Sequence, residues 1–219
     1  MINNIKKVAV LGSGIMGSGI ACHLANVGIE VLLLDMVPKD HESSEDSEKR
    51  NFIVNNALKK AIKSKPSPVY HPSMVKNITT GNFSDDMTKI NECDWIIEVV
   101  VERLDIKNII FEKVDKYRKE DALVSSNTSG IPIASMLKDR SENFKAHFFG
   151  SHFFNPARYL KLLEIIPTEF TKKEVVDFMM EFGHQILGKS TVLCKDTPAF
   201  IANRVGVYAI QELFHVVNE

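Results

Sequence analysis

Apolar residues along this chain recur in two periods. Val8-Ala9-Val10-Leu11, Val31-Leu32-Leu33-Leu34, Trp95 to Val101 and Ala122-Leu123-Val124-Ser125 are short continuous runs, as expected of strands buried on both faces. Between them, apolar positions return every three or four residues, the mark of amphipathic helices. Met16, Ile20, Leu24 and Val27 define one helix, with Gly28 placed to stop it. Phe52 to Lys63 forms a second, ended by Pro66-x-Pro68. Ile106, Ile109, Ile110 and Val114 face the core from a third, and Val175 to Phe182 forms a fourth. Further β signals cover Asn77 to Thr80, Phe144 to Phe149, Tyr159 to Ile166 and Ile186 to Leu193. A last helix is predicted from Thr197-Pro198, with Thr197 as N-cap and Pro198 in the first turn. Residues 36–50 break the pattern. Asp40, Glu42, Glu45, Asp46 and Glu48 sit among serines, which predicts a solvated, mobile loop. Strand–helix alternation predicts the α/β class, a doubly wound and mostly parallel sheet with helices on both faces. Ligands in such sheets bind beyond the carboxyl ends of the strands.

Composition changes little in that picture but removes alternatives. The chain has 219 residues, 44% hydrophobic and 25% charged, enough to bury roughly 70% of its unfolded surface without a disulfide or metal staple. Its net charge of −1 argues against non-specific nucleic-acid binding, which wants a basic face, and leaves room for a local basic patch. No apolar run approaches the ~18 residues of a membrane span. Cys22, Cys93 and Cys194 are odd in number and lack CxxC spacing, which points to reduced thiols in a cytoplasmic protein. The histidines have no HExxH spacing, so no metal site is expected.

Candidate chemistry clusters at the predicted strand ends. Gly12-Ser13-Gly14-Ile15-Met16-Gly17 is a GxGxxG string that leaves a strand and opens a helix, a Rossmann-type arrangement. Gly12 permits the turn, Gly14 admits a pyrophosphate to the backbone, and Gly17 allows helix to pack on strand; Ile15 and Met16 supply the helix's first amides. Asp35 ends the second strand, 18 residues after Gly17. A carboxylate there accepts the adenine-ribose hydroxyls and repels a 2′-phosphate, which favours NAD over NADP. A tight turn with a capping Asp would read the same way. His152 and Glu164 form the second candidate set. A carboxylate inside the apolar run at 159–166 is costly to bury unpaired, and a nearby His would satisfy it while gaining basicity. The alternative is a core His with a solvent-facing Glu. Ser126-Asn127-Thr128-Ser129-Gly130, Asn203, Glu98 and Glu102 are further polar groups near strand ends or in the last helix. Helix capping or a solvated face would account for several of them.

Five segments together resemble the 3-hydroxyacyl-CoA dehydrogenase family of fatty-acid β-oxidation. They are Val10 to Gly17; Ile97-Glu98 through Glu102 to Lys107; Ser126-Asn127-Thr128-Ser129; His152-Phe153-Phe154-Asn155-Pro156; and Lys195-Asp196-Thr197-Pro198 through Phe200-Ile201 to Asn203-Arg204. The run Asn155 to Lys161 is most similar to the dehydrogenase part of multifunctional oxidation enzymes, which also carry an enoyl-CoA hydratase domain. The resemblance implies NAD as cofactor and an acyl-CoA substrate. It implies His152 as general base, Glu164 as its orienter, and Ser129 and Asn203 as holders of the substrate oxygen. Asn155 would lie by the nicotinamide ribose or the substrate, and Ser129, Glu102 and Lys107 would contact the cofactor. Gly130 stands where many relatives have a second Ser. Lys59, Lys60 and Lys63 either meet CoA phosphates or lie on a solvated face.

The resemblance also divides the chain. Residues 1–195 would be the NAD-binding catalytic domain, and 196–219 the first helix of a truncated, all-helical C-terminal domain that supplies the dimer contact. NAD binding is then expected to survive in this stretch and turnover to be weak. Val205, Ile210, Leu213 and Phe214 would form an exposed apolar side. A dehydrogenase of free hydroxy acids and a non-catalytic NAD-binding module are the other readings. Loss of His152 or Glu164 would mark the latter, and both are present.

Overall fold

The computed structural model describes residues 4–218. Its strands are β1 (Lys7–Leu11), β2 (Glu30–Asp35), β3 (Ile78–Asn82), β4 (Trp95–Glu98), β5 (Leu123–Ser126), β6 (Phe148–Phe153), β7 (Leu162–Pro167) and β8 (Ser190–Leu193). They form one sheet in the order β3-β2-β1-β4-β5-β6-β7-β8. Neighbours pair in parallel from β3 to β6, β7 runs antiparallel to β6, and β8 is parallel to β7. The helices are α1 (Ile15–Asn26), α2 (Ser47–Arg50), α3 (Phe52–Lys63), α4 (Leu104–Tyr117), α5 (Glu142–Ala146), α6 (Lys173–Gln185) and α7 (Ala202–Asn218). The chain winds outward from β1 to β3, then returns to the middle at β4. That reversal opens a crevice at the carboxyl ends of β1 and β4.

Strand alternation explains the two layers. Val8 and Val10 of β1 join Ile20, Leu24, Leu33, Trp95 and Phe182 on one face. Ala9 and Leu11 join Leu34, Ile96, Phe111 and Val114 on the other. Both faces are covered, so the strands carry apolar residues at successive positions. The Trp95 indole N–H donates to Ser125 Oγ at 2.9 Å, which satisfies its one polar atom inside the core. The three thiols are free and buried, and burial pushes Cys22 to about 11 and Cys93 and Cys194 to about 12.

Several expectations need correction. Residues 36–50 are largely exposed apart from buried Val37, but carry a 3₁₀ turn at Lys39–His41 and the short helix α2. Arg50 binds both oxygens of Asp85 at 2.7 Å, which ties that loop to the end of β3. β4 stops at Glu98 instead of Val101. On α4 it is Ile109 that faces solvent, while Lys107 takes a core position with Ile110, Phe111 and Val114. Phe144 lies in α5, capped by Ser141, and the strand predicted there starts at Phe148 and runs on through His152. The last strand is only Ser190–Leu193. The last helix starts at Ala202, and Thr197-Pro198 instead forms a turn in which Phe200 N donates to Thr197 O at 3.0 Å. Val205, Ile210, Leu213 and Phe214 on α7 are each more than half exposed. No helix among the described residues is long and apolar enough to cross a membrane.

His23 on α1 joins the sheet's far edge to the glycine-loop helix. Its Nε2–H donates to Leu187 O at 3.0 Å, and its Nδ1 has no partner among the described residues. Burial, and then Lys189, lower its pKa to about 4. A base whose folded pKa is depressed keeps full stability above its unfolded pKa of about 6.5 and loses it as pH falls toward 4. The loss at His23 is on the order of 3 kcal/mol. In urea titrations, His23→Gln is therefore expected to lose less stability than wild type between pH 6.5 and 4. Parallel curves would refute this.

Candidate active site

The cofactor cradle is built where β1 turns into α1. Gly12 has φ +110, and a Cβ there would meet Val99 O at 2.7 Å. A Cβ on Gly17 would meet Gly12 O at 1.8 Å, so the helix can lie this close to the strand only with glycine. At Gly14 nothing stands within 4 Å of the Cβ position, and this open side faces the cleft. Ile15 is exposed at the mouth, while Met16 packs on the core. Asp35, at the end of β2, accepts from Ser13 N at 2.6 Å, Ser13 Oγ at 2.5 Å and Met36 N at 2.7 Å. It therefore braces the glycine loop from the position a ribose would reach. Open space at Gly14, the start of α1 behind it and a carboxylate beside it fit a dinucleotide.

A cleft of about 710 Å³ extends from this cradle. Ser13, Gly14 and Ile15 line one end, α3 supplies Phe52, Ala57 and Lys60, and Asn155, Pro156 and Arg158 close the other side. Of the three α3 lysines, only Lys60 faces it; Lys59 and Lys63 border a separate groove against Ile78 and Thr80. Sequence reasoning missed what holds the wall. Arg158 donates to Ser67 O at 2.7 Å and Val69 O at 3.0 Å, with its guanidinium between the rings of Tyr70 and Tyr159. Lys189 is buried, donates to Ala157 O and Leu160 O, and is pushed down to about 8 by burial. A basic residue entering a strand ordinarily reads as solvated, so no local signal marked it.

Next to the cradle lies a charged network. Lys107 Nζ donates to Glu98 at 2.8 and 3.0 Å and reaches Glu102 at 3.3 Å. Lys107 and Glu98 are buried, while Glu102 is half exposed. Glu98 also accepts from Val100 N at 2.7 Å and Ser126 Oγ at 2.6 Å. Glu102 accepts from the Thr128 hydroxyl, Ser129 N and Gly130 N. Partial burial pushes the Glu102 carboxyl up, but Thr128 and Lys107 outweigh it and hold the group below the usual carboxylate range. The Lys107 ammonium thus lies behind Glu102, not at the surface.

His152 and Glu164 are direct cross-strand neighbours of β6 and β7. Both are buried, and His152 Nδ1 lies 2.7 Å from Glu164 Oε2. An ionised carboxylate only accepts, so Nδ1 carries the hydrogen, and in the neutral imidazole Nε2 keeps its lone pair. Phe154 and Phe200 pack on the imidazole, with ring centroids at 4.3 and 5.6 Å. The other Glu164 oxygen accepts from Ile201 N at 3.1 Å and Ala202 N at 2.8 Å. A carboxylate thus caps the start of α7, in a buried geometry that contributes up to about 2 kcal/mol. The turn before it is strained: Ala199 and Phe200 have φ of 63° and 48°, at about 1–2 kcal/mol each. Asn203, one residue on from Ala202, points its Nδ2 at Ser129 O, 3.3 Å away. Ser129 and Asn203 are therefore neighbours, and Asn155 lines the cleft wall.

A doubly wound sheet with an open glycine cradle and a buried His–carboxylate pair defines a dinucleotide-dependent oxidoreductase domain. Residues 7–197 match the family described as "3-hydroxyacyl-CoA dehydrogenase, NAD binding domain". The chain is 54% identical over 218 residues to a Bacillus subtilis protein named "Probable 3-hydroxyacyl-CoA dehydrogenase", covering 96% of this chain and 28% of that protein. It is 45% identical over 211 residues to a Rickettsia felis protein named "Putative fatty acid oxidation complex trifunctional enzyme", covering 96% and 28%. The crystal structure of (S)-3-hydroxybutyryl-CoA dehydrogenase from Ralstonia eutropha superposes with a TM-score of 0.77 at 28% identity, covering 98% of this chain and 72% of that one. The chain belongs to the 3-hydroxyacyl-CoA dehydrogenase family and carries its NAD-binding domain. It spans 28% of the length of both named relatives.

Lys107→Met takes the cation from buried Glu98, whose carboxyl burial already holds above the usual carboxylate range, and is expected to cost about 3–5 kcal/mol. Glu98→Gln combined with Lys107→Met should recover most of that in urea titrations. A single variant as stable as wild type would contradict the network.

Proposed function

We propose that this chain is the catalytic, NAD-binding part of an enzyme that oxidises (3S)-3-hydroxyacyl-CoA to 3-oxoacyl-CoA in fatty-acid β-oxidation. The observation that carries the reading is the buried 2.7 Å contact between His152 Nδ1 and Glu164. It leaves Nε2 of the neutral imidazole free to accept a proton, with the rings of Phe154 and Phe200 packed on it. Oxidising a secondary alcohol requires the hydroxyl proton and the C3 hydride to leave together. His152 Nε2 takes the proton, and Glu164 stabilises the imidazolium that results. NAD, when bound, accepts the hydride.

Ser129 and Asn203 hold the substrate oxygen, a role supported by their contact across the turn. Asn155 meets the cofactor's ribose or the substrate from the cleft wall. Gly12, Gly14, Ile15, Met16 and Gly17 receive the pyrophosphate, and Asp35 the adenine ribose. Glu102 faces the cofactor beside Ser129, and Lys107 contributes through Glu102. The cleft with Lys60 and Arg158 suits an extended, phosphate-bearing substrate. Residues 1–195 act as the catalytic domain, and 196–219 begin a helical domain that completes the substrate site and makes a homodimer. An enoyl-CoA hydratase domain belongs to the same full-length chain.

With full-length protein, NADH oxidation is expected with acetoacetyl-CoA and not with free acetoacetate; equal rates would overturn the CoA assignment. His152→Ala should lower kcat by ~10²–10⁴ and Glu164→Gln by on the order of 100-fold, with NADH affinity unchanged. Full turnover by His152→Ala would remove the base.

A further inference from the structure

Glu164 is held on two sides, and the second hold has its own support. The segment from Lys195 to Ile201 leaves β8, makes a turn with left-handed Ala199 and Phe200, and delivers the Ile201 and Ala202 amides to Glu164 Oε1. Two left-handed residues with side chains do not persist in a free loop. This turn is fastened at its start by Asp196. Its Oδ1 accepts from Ile133 N at 2.9 Å and its Oδ2 from Ala134 N at 2.8 Å. Ile133 is buried in the core that also holds Phe200, and it follows Ser129 by four residues. One carboxylate therefore ties the segment carrying Ser129 to the segment carrying Asn203. At the far end of the turn, the Phe200 ring, 3% exposed, packs on His152.

We infer that Asp196 is a positioning residue for the proposed reaction, acting through the turn at 197–201. It fixes where α7 begins, and through that both the amides that occupy Glu164 and the distance from Asn203 to Ser129. Without it the turn relaxes toward ordinary backbone, the Ile201 and Ala202 amides leave Glu164, and Phe200 withdraws from the imidazole. The carboxylate then gains freedom to turn from His152. The cradle at Gly12 to Gly17 takes part in none of these contacts and is left unchanged.

This inference rests on the function proposed above, and two readouts keep the two apart. Asp196→Asn keeps size and one acceptor, and Asp196→Ala removes both. In full-length protein, amide hydrogen exchange at Ile201 and Ala202 is expected to speed up at least 10-fold in both variants, with exchange in β1 and α1 unchanged. With acetoacetyl-CoA, kcat should fall at least 10-fold while the Kd for NADH stays within 2-fold. A merely structural loss would move the NADH Kd and the β1 amides too. Unchanged exchange at Ile201 and Ala202 in the folded Asn variant would overturn the inference whatever kcat does. If wild type does not turn over acetoacetyl-CoA, the functional reading fails, and the exchange result still decides the positioning claim.

Discussion

The site depends on one carboxylate used twice. Glu164 has one oxygen on His152 Nδ1 and the other on two amides at the start of α7. Burying a carboxylate in the middle of a sheet is unfavourable unless its lone pairs are filled. Three donors fill them here, from a strand neighbour and from a helix terminus. The same bonds orient the imidazole, cap a helix and bring Asn203 to Ser129. Site geometry and fold stability are thus one set of interactions. A change at Glu164 is felt in both.

The sheet supplies the rigidity this needs. β6 and β7 form the antiparallel pair in which His152 and Glu164 are opposite one another. Strand register sets that separation to within the reach of a hydrogen bond, with no loop involved. The parallel half of the sheet works differently. There the chain reversal between β1 and β4 leaves open space beside Gly14, in a loop braced by Asp35. One half of the sheet thus offers a base and the other a phosphate cradle.

Much of this was legible in the residues. The strand–glycine–helix opening, Asp35, and the helix over Phe52–Lys63 follow from local pattern, because each is specified by neighbours in sequence. What local pattern misread was fixed by distant partners. His152 reads as a loop residue after Phe149, because a polar group is a poor strand signal; its partner lies in another strand. Thr197-Pro198 carries a valid capping signal, yet the cap comes from Glu164, 37 residues before Ile201. Lys107, which the family resemblance places against the cofactor, is drawn into the core by Glu98. Each miss is a tertiary electrostatic contact overriding a local preference.

The account turns on where the hydrogen of His152 sits. Nitrogen-15 NMR of histidine-labelled full-length protein reports this for the neutral imidazole. A single tautomer is expected, with hydrogen on Nδ1 and a bare Nε2, that mixes with the other tautomer once Glu164 is replaced by Gln. A neutral His152 with hydrogen on Nε2, or a tautomer mixture already present in wild type, would contradict it.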